Sequence, residues 1–444
     1  MPRRRVLVYG LGVSGEAAIR HLLADGVEVV AADDDPAEPA RRRARELGVE
    51  LVVAPDAPTL ALLADEFDEV VVSPGVPAHH RVLALGASVS LVGDVELAWR
   101  RATVPMVAIT GTNGKTTVVT LVTSMLQASG RRAVAGGNIG TPLLDAVVGE
   151  VDVVVAEVSS FQLALTTSFR PAVAAWLNFS ADHLDWHPSL EHYRSAKTRL
   201  WANAGPGDVA VANAEDAVVL EASRVPAARG ASVVTFGLDA GDYRIERDVI
   251  LGPTGEFGPV ADLPRSFPHE LSDALCAVAS ASAMAAAADA CWSALRQFRG
   301  LPHRVQLVGE AKGVKYYDDS KATTPGAVLA ALAAFPSVVL VAGGRNKGLD
   351  LTPLREAAAG LRAVVAIGEA AGEVEVVFEG ACPVRRAGSM SDAVTAAAEL
   401  AHPGDAVVLS PACASFDWYR SYGERGDDFA RHVRALGAVG AEHP

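Results

Sequence analysis

The run Gly111-Thr-Asn-Gly-Lys-Thr-Thr117 carries more chemistry than any other stretch of this chain. Apolar residues from Val107 lead into it, and a helical pattern follows. Gly111 and Gly114, with Thr112 and Asn113 between them, let backbone N–H groups converge on a polyphosphate. Lys115 supplies a point charge for its β/γ oxygens and Thr116 a hydroxyl for Mg²⁺, with Thr117 completing the Gly-Lys-Thr-Thr run. Ile109 stands where the G-x-x-x-x-G-K-[ST] pattern has its first glycine, so the spacing is a variant.

Glu157 ends the apolar run Asp152-Val-Val-Val-Ala-Glu157, where a phosphate-loop sheet is expected to offer an acid to Mg²⁺ or to metal-bound water. The competing reading is an acid at a helix N-terminus. His183 lies in the loop Ser180-Ala-Asp-His-Leu-Asp185, and its spacing leaves functional and bland readings equally open. Lys197 sits in a helical stretch and would ordinarily be surface. The chain has 33 arginines but only six lysines, however, at 115, 197, 312, 315, 321 and 347. A lysine kept in so arginine-rich a chain points to a need for a compact ammonium, or for an amine that can lose its proton. Lys312 and Lys315 read as the surface of a hairpin turn.

Further along, Asp318-Asp-Ser-Lys-Ala-Thr-Thr324 offers an ammonium at Lys321 and hydroxyls at Ser320 and Thr323. Gly343-Gly-Arg-Asn-Lys-Gly348 adds Lys347, and Ser410-Pro-Ala-Cys-Ala-Ser415 adds small residues and a hydroxyl. Three such loops at strand ends suit one pocket for an acidic small molecule, and two carboxylates, as on glutamate, would match two lysines.

These groups need elements to hold them, and the expected fold class is α/β in three blocks. The first, 1–102, is Rossmann-like: strand, Gly10-x-Gly12-x-x-Gly15, helix, a second strand, then Asp33-Asp-Asp35. A further strand delivers Ser73-Pro-Gly-Val-Pro77 at its carboxyl end. The second block, 103–300, is P-loop-like and ATP-binding. Its strands are followed by further strands over about 208–265 and one long alanine-rich helix over 270–290, up to the break at Gly300-Leu-Pro302. The third, 301–444, is again Rossmann-like, with strands at 338–342, 363–367 and 405–410.

At 444 residues, two to four domains are expected. A net charge of −14 argues against a nucleic-acid or anionic-membrane surface, so partners are expected to be small molecules. The N-terminal apolar run is too short for a signal, and no stretch reaches membrane-spanning length, so a cytoplasmic protein without membrane insertion is expected. Four scattered cysteines show no metal-like pairing.

Taken in order, Gly111–Thr117, Glu157-Val-Ser-Ser-Phe-Gln162, Asp182-His-Leu-Asp185, Pro302-His-Arg304, Asp319-Ser-Lys-Ala-Thr323, Gly343-Gly-x-x-Lys-Gly348 and Ser410–Ser415 resemble the Mur ligases over essentially the whole chain. The last three motifs resemble the glutamate-adding branch. That resemblance implies an ATP-dependent, amide-forming ligase of peptidoglycan precursor synthesis, working through an acyl phosphate and acting as a monomer. Its substrates would be ATP, UDP-N-acetylmuramoyl-L-alanine and D-glutamate, with the L-enantiomer as the alternative.

By position, the resemblance makes Lys115, His183 and Lys197 catalytic and implies two Mg²⁺ sites. Thr116 and Glu157 would serve one, while His183 and a carbamylated Lys197 would serve the other. Residues 111–117, Arg304 and Asp319 would bind ATP. Gly12, Ser14, Asp33, Ser73, Gly75, Asn138 and His183 would hold the UDP-sugar, and Lys321, Thr323, Lys347, Ser415, Phe416 and Tyr422 the glutamate. The chain departs from the family at His269-Glu-Leu-Ser-Asp273, where His-Asn-x-x-Asn is usual, and at Asp34-Asp35, where Thr-Arg is frequent. The Gly10/Gly12/Gly15 and Asp33 pattern alone also suits an NAD(P)-dependent oxidoreductase, a reading that leaves the phosphate loop and the third block unexplained.

Overall fold

The computed structural model describes residues 4–438. They form two compact units. One runs through Phe179 and adds Trp186–Leu263 and Ser272–Gln297; the other comprises Ser180–Asp185, Pro264–Leu271 and the chain from Phe298.

The first unit contains three sheets. Strands β1 (Arg5–Tyr9), β2 (Glu28–Asp33), β3 (Glu50–Val53), β4 (Glu69–Val72) and β5 (Ser90–Val92) make a parallel sheet in the order β3-β2-β1-β4-β5. The order reverses between β1 and β4, which opens a crevice at their carboxyl ends. A second parallel sheet has the order β11-β10-β9-β6-β8-β7. It is built from β6 (Met106–Thr110), β7 (Ala133–Gly137), β8 (Val153–Glu157), β9 (Val173–Trp176), β10 (Val209–Asn213) and β11 (Ser232–Phe236). Strands β6, β8 and β9 are buried along their whole length, which is why they read as unbroken Val/Ala runs rather than alternating ones. One core joins the two sheets, with Val6 and Ala18 in the same cluster as Ala108 and Trp176. Strands β12 (Arg244–Glu246), β13 (Val249–Gly252) and β14 (Gly255–Pro259) form a small antiparallel sheet.

Two expectations are corrected here. Between β10 and β11 the chain makes short helices, Ala217–Ala222 and Arg224–Ala228, within a stretch expected to be strands. The long helix expected over 270–290 is two, Pro268–Ala283 and Ala288–Gln297. Ala285 takes φ +60° and the Ala286 N–H turns back to the Ala281 carbonyl, ending the first helix in a left-handed residue that is not glycine.

The second unit holds one six-stranded sheet in the order β15-β16-β20-β17-β18-β19. Its strands are β15 (Gln306–Ala311), β16 (Val314–Asp318), β17 (Val338–Gly343), β18 (Leu361–Ile367), β19 (Val384–Arg386) and β20 (Ala406–Leu409). Only β15 runs antiparallel, in a hairpin whose turn carries Lys312, as its sequence suggested. Because β16, β20 and β17 are adjacent and parallel, the loops that follow them emerge side by side.

Candidate active site

The phosphate loop leaves β6 at the centre of the second sheet. Gly114 starts the helix Lys115–Ala128 with φ +85°, and a Cβ there would lie 2.2 Å from an Asp273 carboxylate oxygen. Backbone conformation and a close neighbour therefore both require glycine. Asn178, at the carboxyl end of β9, clamps the loop from beneath: its side chain accepts the Asn113 N–H at 2.9 Å and its carbonyl accepts the Thr112 N–H at 3.1 Å. The Thr112 hydroxyl lies 3.2 Å from the Tyr193 hydroxyl. Lys115 folds back on the loop, donating to the Gly111 and Thr112 carbonyls at 2.9 Å each.

Lys197 is only 1% exposed and donates to the same Gly111 carbonyl at 2.8 Å, with its ammonium over the Tyr193 ring. It is therefore no surface lysine. Its helix, Leu190–Thr198, is tied to the carboxyl end of β8 through His187, a buried residue that sequence reasoning missed. The two ring nitrogens of His187 meet the Ser160 hydroxyl at 2.9 Å and His192 at 2.8 Å. The signal was there in Asp185-Trp-His187, but it lies in a loop with no recognisable period.

Glu157 is 2% exposed. One carboxylate oxygen accepts the Asn138 amide N–H at 2.9 Å, while the other is buried with no hydrogen-bond partner. Such an oxygen costs free energy unless a cation or donor meets it. Together with the Thr116 hydroxyl position at the helix start, this fits a Mg²⁺ held against the phosphate loop. Asn138, expected at the UDP-sugar, has its amide committed to Glu157.

The crevice of the first sheet is a cavity of about 390 Å³ lined by Tyr9, Gly12, Ser14, Asp33, Ser73 and Gly75 among others. A Cβ at Gly12 or Gly75 would meet nothing, so the backbone at both faces open space. Ser14 donates to Asp94 at 2.8 Å, and Gln162 donates to the same carboxylate at 3.0 Å, which links this cavity to the end of β8. Burial pushes the Asp94 carboxyl up, against the hydrogen bonds from Gln162 and Ser14. Asp33 accepts the Leu11 N–H at 2.7 Å and the Asp35 N–H at 3.1 Å, so both its oxygens are occupied by backbone.

In the second unit, the loops after β16, β17 and β20 are gathered by Arg425, another residue the sequence reading did not single out. Its guanidinium, 1% exposed, donates to the Ser320 hydroxyl and carbonyl and to the Cys413 carbonyl, and it lies 3.0 Å from where a Gly344 Cβ would stand. Burial lowers it to about 10. Ser320, whose hydroxyl was expected to face an anion, is completely buried and donates to the Tyr422 carbonyl instead. The Lys321 ammonium lies 5.0 Å from the Tyr422 ring centre and that of Lys347 6.0 Å from Phe416, both rings being well exposed. Thr323 is half-buried nearby in sequence and Ser415 is buried.

Asp319 accepts the Ser410 hydroxyl at 2.7 Å and the Val305 N–H at 3.2 Å. Burial still pushes its carboxyl up to about 7, although Arg304 opposes this. His303 pairs with Asp318 at 2.6 Å, a hydrogen bond that raises its imidazole above its ordinary value. Glu270, at the departure His269-Glu270, is bound by Arg265, and burial pushes its carboxyl up. His183 adopts φ +55°, its N–H donating to Asp182 at 2.8 Å.

Comparison with known proteins adds the family. Residues 4–93 match the Mur ligase MurD-like N-terminal domain, 109–263 the Mur ligase middle domain, and 303–413 the Mur ligase glutamate ligase domain. The chain belongs to the Mur ligases. Among Mur ligases, the UDP-N-acetylmuramoylalanine--D-glutamate ligase of Thermobifida fusca is 41% identical, with 98% of both chains covered. That of Frankia casuarinae is 44% identical over 97% of this chain and 94% of its own. The three-domain fold is also that of two solved Mur ligases: MurF from Acinetobacter baumannii (TM-score 0.62, 18% identity, 96% and 93% covered) and UDP-N-acetylmuramate-alanine ligase MurC from Thermotoga maritima (TM-score 0.60, 18% identity, 97% and 99% covered). No helix of the described residues is long and apolar enough to cross a membrane.

Proposed function

We propose that this Mur ligase joins D-glutamate to UDP-N-acetylmuramoyl-L-alanine at the expense of ATP, in the cytoplasm and as a monomer. The observation that carries this reading is full-length similarity at about 40% identity to ligases named for that reaction.

The chemistry follows from the groups described. Lys115 leaves its two carbonyls for the β/γ oxygens of ATP, and the loop N–H groups cradle the phosphates. The carboxylate of the alanyl substrate attacks the γ-phosphorus, the bond to the ADP oxygen breaks, and an acyl phosphate forms. The amine of glutamate then attacks the acyl carbon, a proton leaves the nitrogen, and phosphate departs with the C–O bonding pair. Mg²⁺, when bound, neutralises charge on the transferring phosphoryl group. Thr116 and the unpartnered Glu157 oxygen are suited to hold one such ion, and His183 with a carbamylated Lys197 a second. A carbamate needs an amine that can lose its proton, which lysine supplies and arginine does not.

Lys321 and Lys347 would each take a carboxylate of glutamate, with Thr323, Ser415, Phe416 and Tyr422 around them. Arg304 and Asp319 would meet the nucleotide. Gly12, Ser14, Ser73 and Gly75 would line the UDP-sugar site, with Asp33 shaping its loop from behind. Asp33 already accepts two backbone N–H groups, and a dinucleotide oxidoreductase would leave the phosphate loop and the third block without a role, which disfavours that alternative.

The test is phosphate release from ATP and Mg²⁺ with UDP-N-acetylmuramoyl-L-alanine, adding D- or L-glutamate in separate reactions. Release with the D-form alone is expected. Release with the L-form alone would keep the mechanism and overturn the substrate.

A further inference from the structure

At one rim of the first cavity three side chains from two segments converge on a single carboxylate. Asp34 accepts the Tyr9 hydroxyl at 2.9 Å, binds the Arg81 guanidinium, and lies 2.8 Å from the His80 ring nitrogen. The Tyr9 and His80 rings sit 5.0 Å apart, and a second nitrogen of Arg81 is pinned to the Pro55 carbonyl at 2.7 Å. Tyr9 and Asp34 line the cavity itself.

The cluster is not explained as a fold staple. The side chains of Arg81 and Asp34 are 37% and 44% exposed, and ion pairs that open to water contribute little stability. It is also where a chain with three consecutive aspartates, 33 to 35, needs a cation if an anionic nucleotide is to approach.

We propose that Arg81, oriented by Asp34, determines specificity for the base of a uridine nucleotide in this cavity. The inference rests on the reading of the cavity as the UDP-sugar site. Uracil presents a carbonyl, an N–H and a second carbonyl along one edge. A carboxylate has about four lone-pair directions; Tyr9 and Arg81 both donate to Asp34 Oδ1, which leaves Oδ2 to accept an N–H. A guanidinium has five donors, of which Arg81 commits two, leaving others for a carbonyl. Donor beside acceptor complements uracil. Cytosine presents an acceptor where uracil has its N–H, and so sets lone pair against lone pair at Asp34.

The test is calorimetric titration of the full chain with UDP and with CDP at one fixed salt concentration, using wild type, Arg81→Ala, Arg81→Lys and Asp34→Asn. Wild type is expected to prefer UDP. Arg81→Ala should weaken UDP about tenfold, and Arg81→Lys should recover little of it, because an ammonium lacks the planar fork. Asp34→Asn should narrow the UDP:CDP ratio, a quantity that a general loosening of the fold would not change. UDP binding by Arg81→Ala within twofold of wild type, or an unchanged ratio in Asp34→Asn, would overturn the inference while leaving the UDP site standing. Wild type that binds no UDP would overturn both.

Discussion

Glu96 offers a stability prediction whose size can be worked from the structure. It lies in the helix Asp94–Trp99 that follows β5, and its carboxylate is completely buried. It accepts N–H groups from Thr167 at 2.8 Å, Ser168 at 3.0 Å and Phe169 at 3.2 Å, the Thr167 and Ser168 hydroxyls at 2.9 and 2.5 Å, and Arg100 at 3.1 Å. One side chain thus rivets the end of the first sheet's block to the loop before β9. Burial alone would raise this carboxyl, but the Ser168 and Thr167 donors outweigh it and hold it down to about 2. Relative to its ordinary 4.5, that corresponds to about 3 kcal/mol of preference for the charged form. The perturbation is Glu96→Gln, which puts an NH₂ among donors. The folded value lies below the unfolded one, so the stabilisation is fully present above about pH 5 and is lost as pH falls towards 2. Urea unfolding followed by tryptophan fluorescence is a suitable assay, because Trp99 on the same helix packs edge-on to Phe169 at 5.9 Å. Expected is a loss of about 3 kcal/mol at pH 7 that shrinks by about 1 kcal/mol at pH 4. A loss under about 0.5 kcal/mol at pH 7, or one that does not change with pH, would refute the reasoning.

Three further outcomes are expected. Gly114→Ala should cut ATP turnover at least about tenfold while Asp273→Ala in the same chain restores part of it, since the new Cβ collides with that carboxylate as well as taking an unfavourable φ; no recovery in the double variant would remove the steric argument. Lys197→Ala should lose about a hundredfold or more in turnover, with partial rescue by a short carboxylic acid and none by bicarbonate, and unchanged turnover would end the carbamate role. Asp319→Asn should relieve a pH-dependent cost. Burial raises Asp319 to about 7 against an ordinary 3.8, so the folded state loses about 4 kcal/mol as pH rises from about 4 to 7, and melting curves of wild type and variant should diverge over that window.

The three α/β blocks were legible because strands covered on both faces leave continuous Val/Ala runs, as in β8 and β17. Loops at their carboxyl ends were legible because glycine, lysine and hydroxyl residues concentrate there. What escaped were partnerships set by tertiary packing. Alanine content could not reveal the left-handed turn at Ala285 that splits the helix in two. Ser320 and Lys321 are neighbours in one motif, yet one turns inward to Arg425 while the other keeps its ammonium by Tyr422. Asn138, Asn178 and His187 bond across 19, 65 and 27 residues of chain respectively, distances over which no local period speaks.

Two lysines, 115 and 197, donate to one oxygen, the Gly111 carbonyl. A carbonyl has two lone pairs, so both are used at once. If Lys115 leaves for a phosphate, as proposed, the bond from Lys197 remains, and the loop would keep its shape through the exchange of an internal ligand for an external one. The nucleotide thus meets a receptor already folded for it, and little ordering entropy opposes its capture. On the proposed reading, Lys197 would thereby enter the thermodynamics of ATP capture as well as the chemistry that follows it.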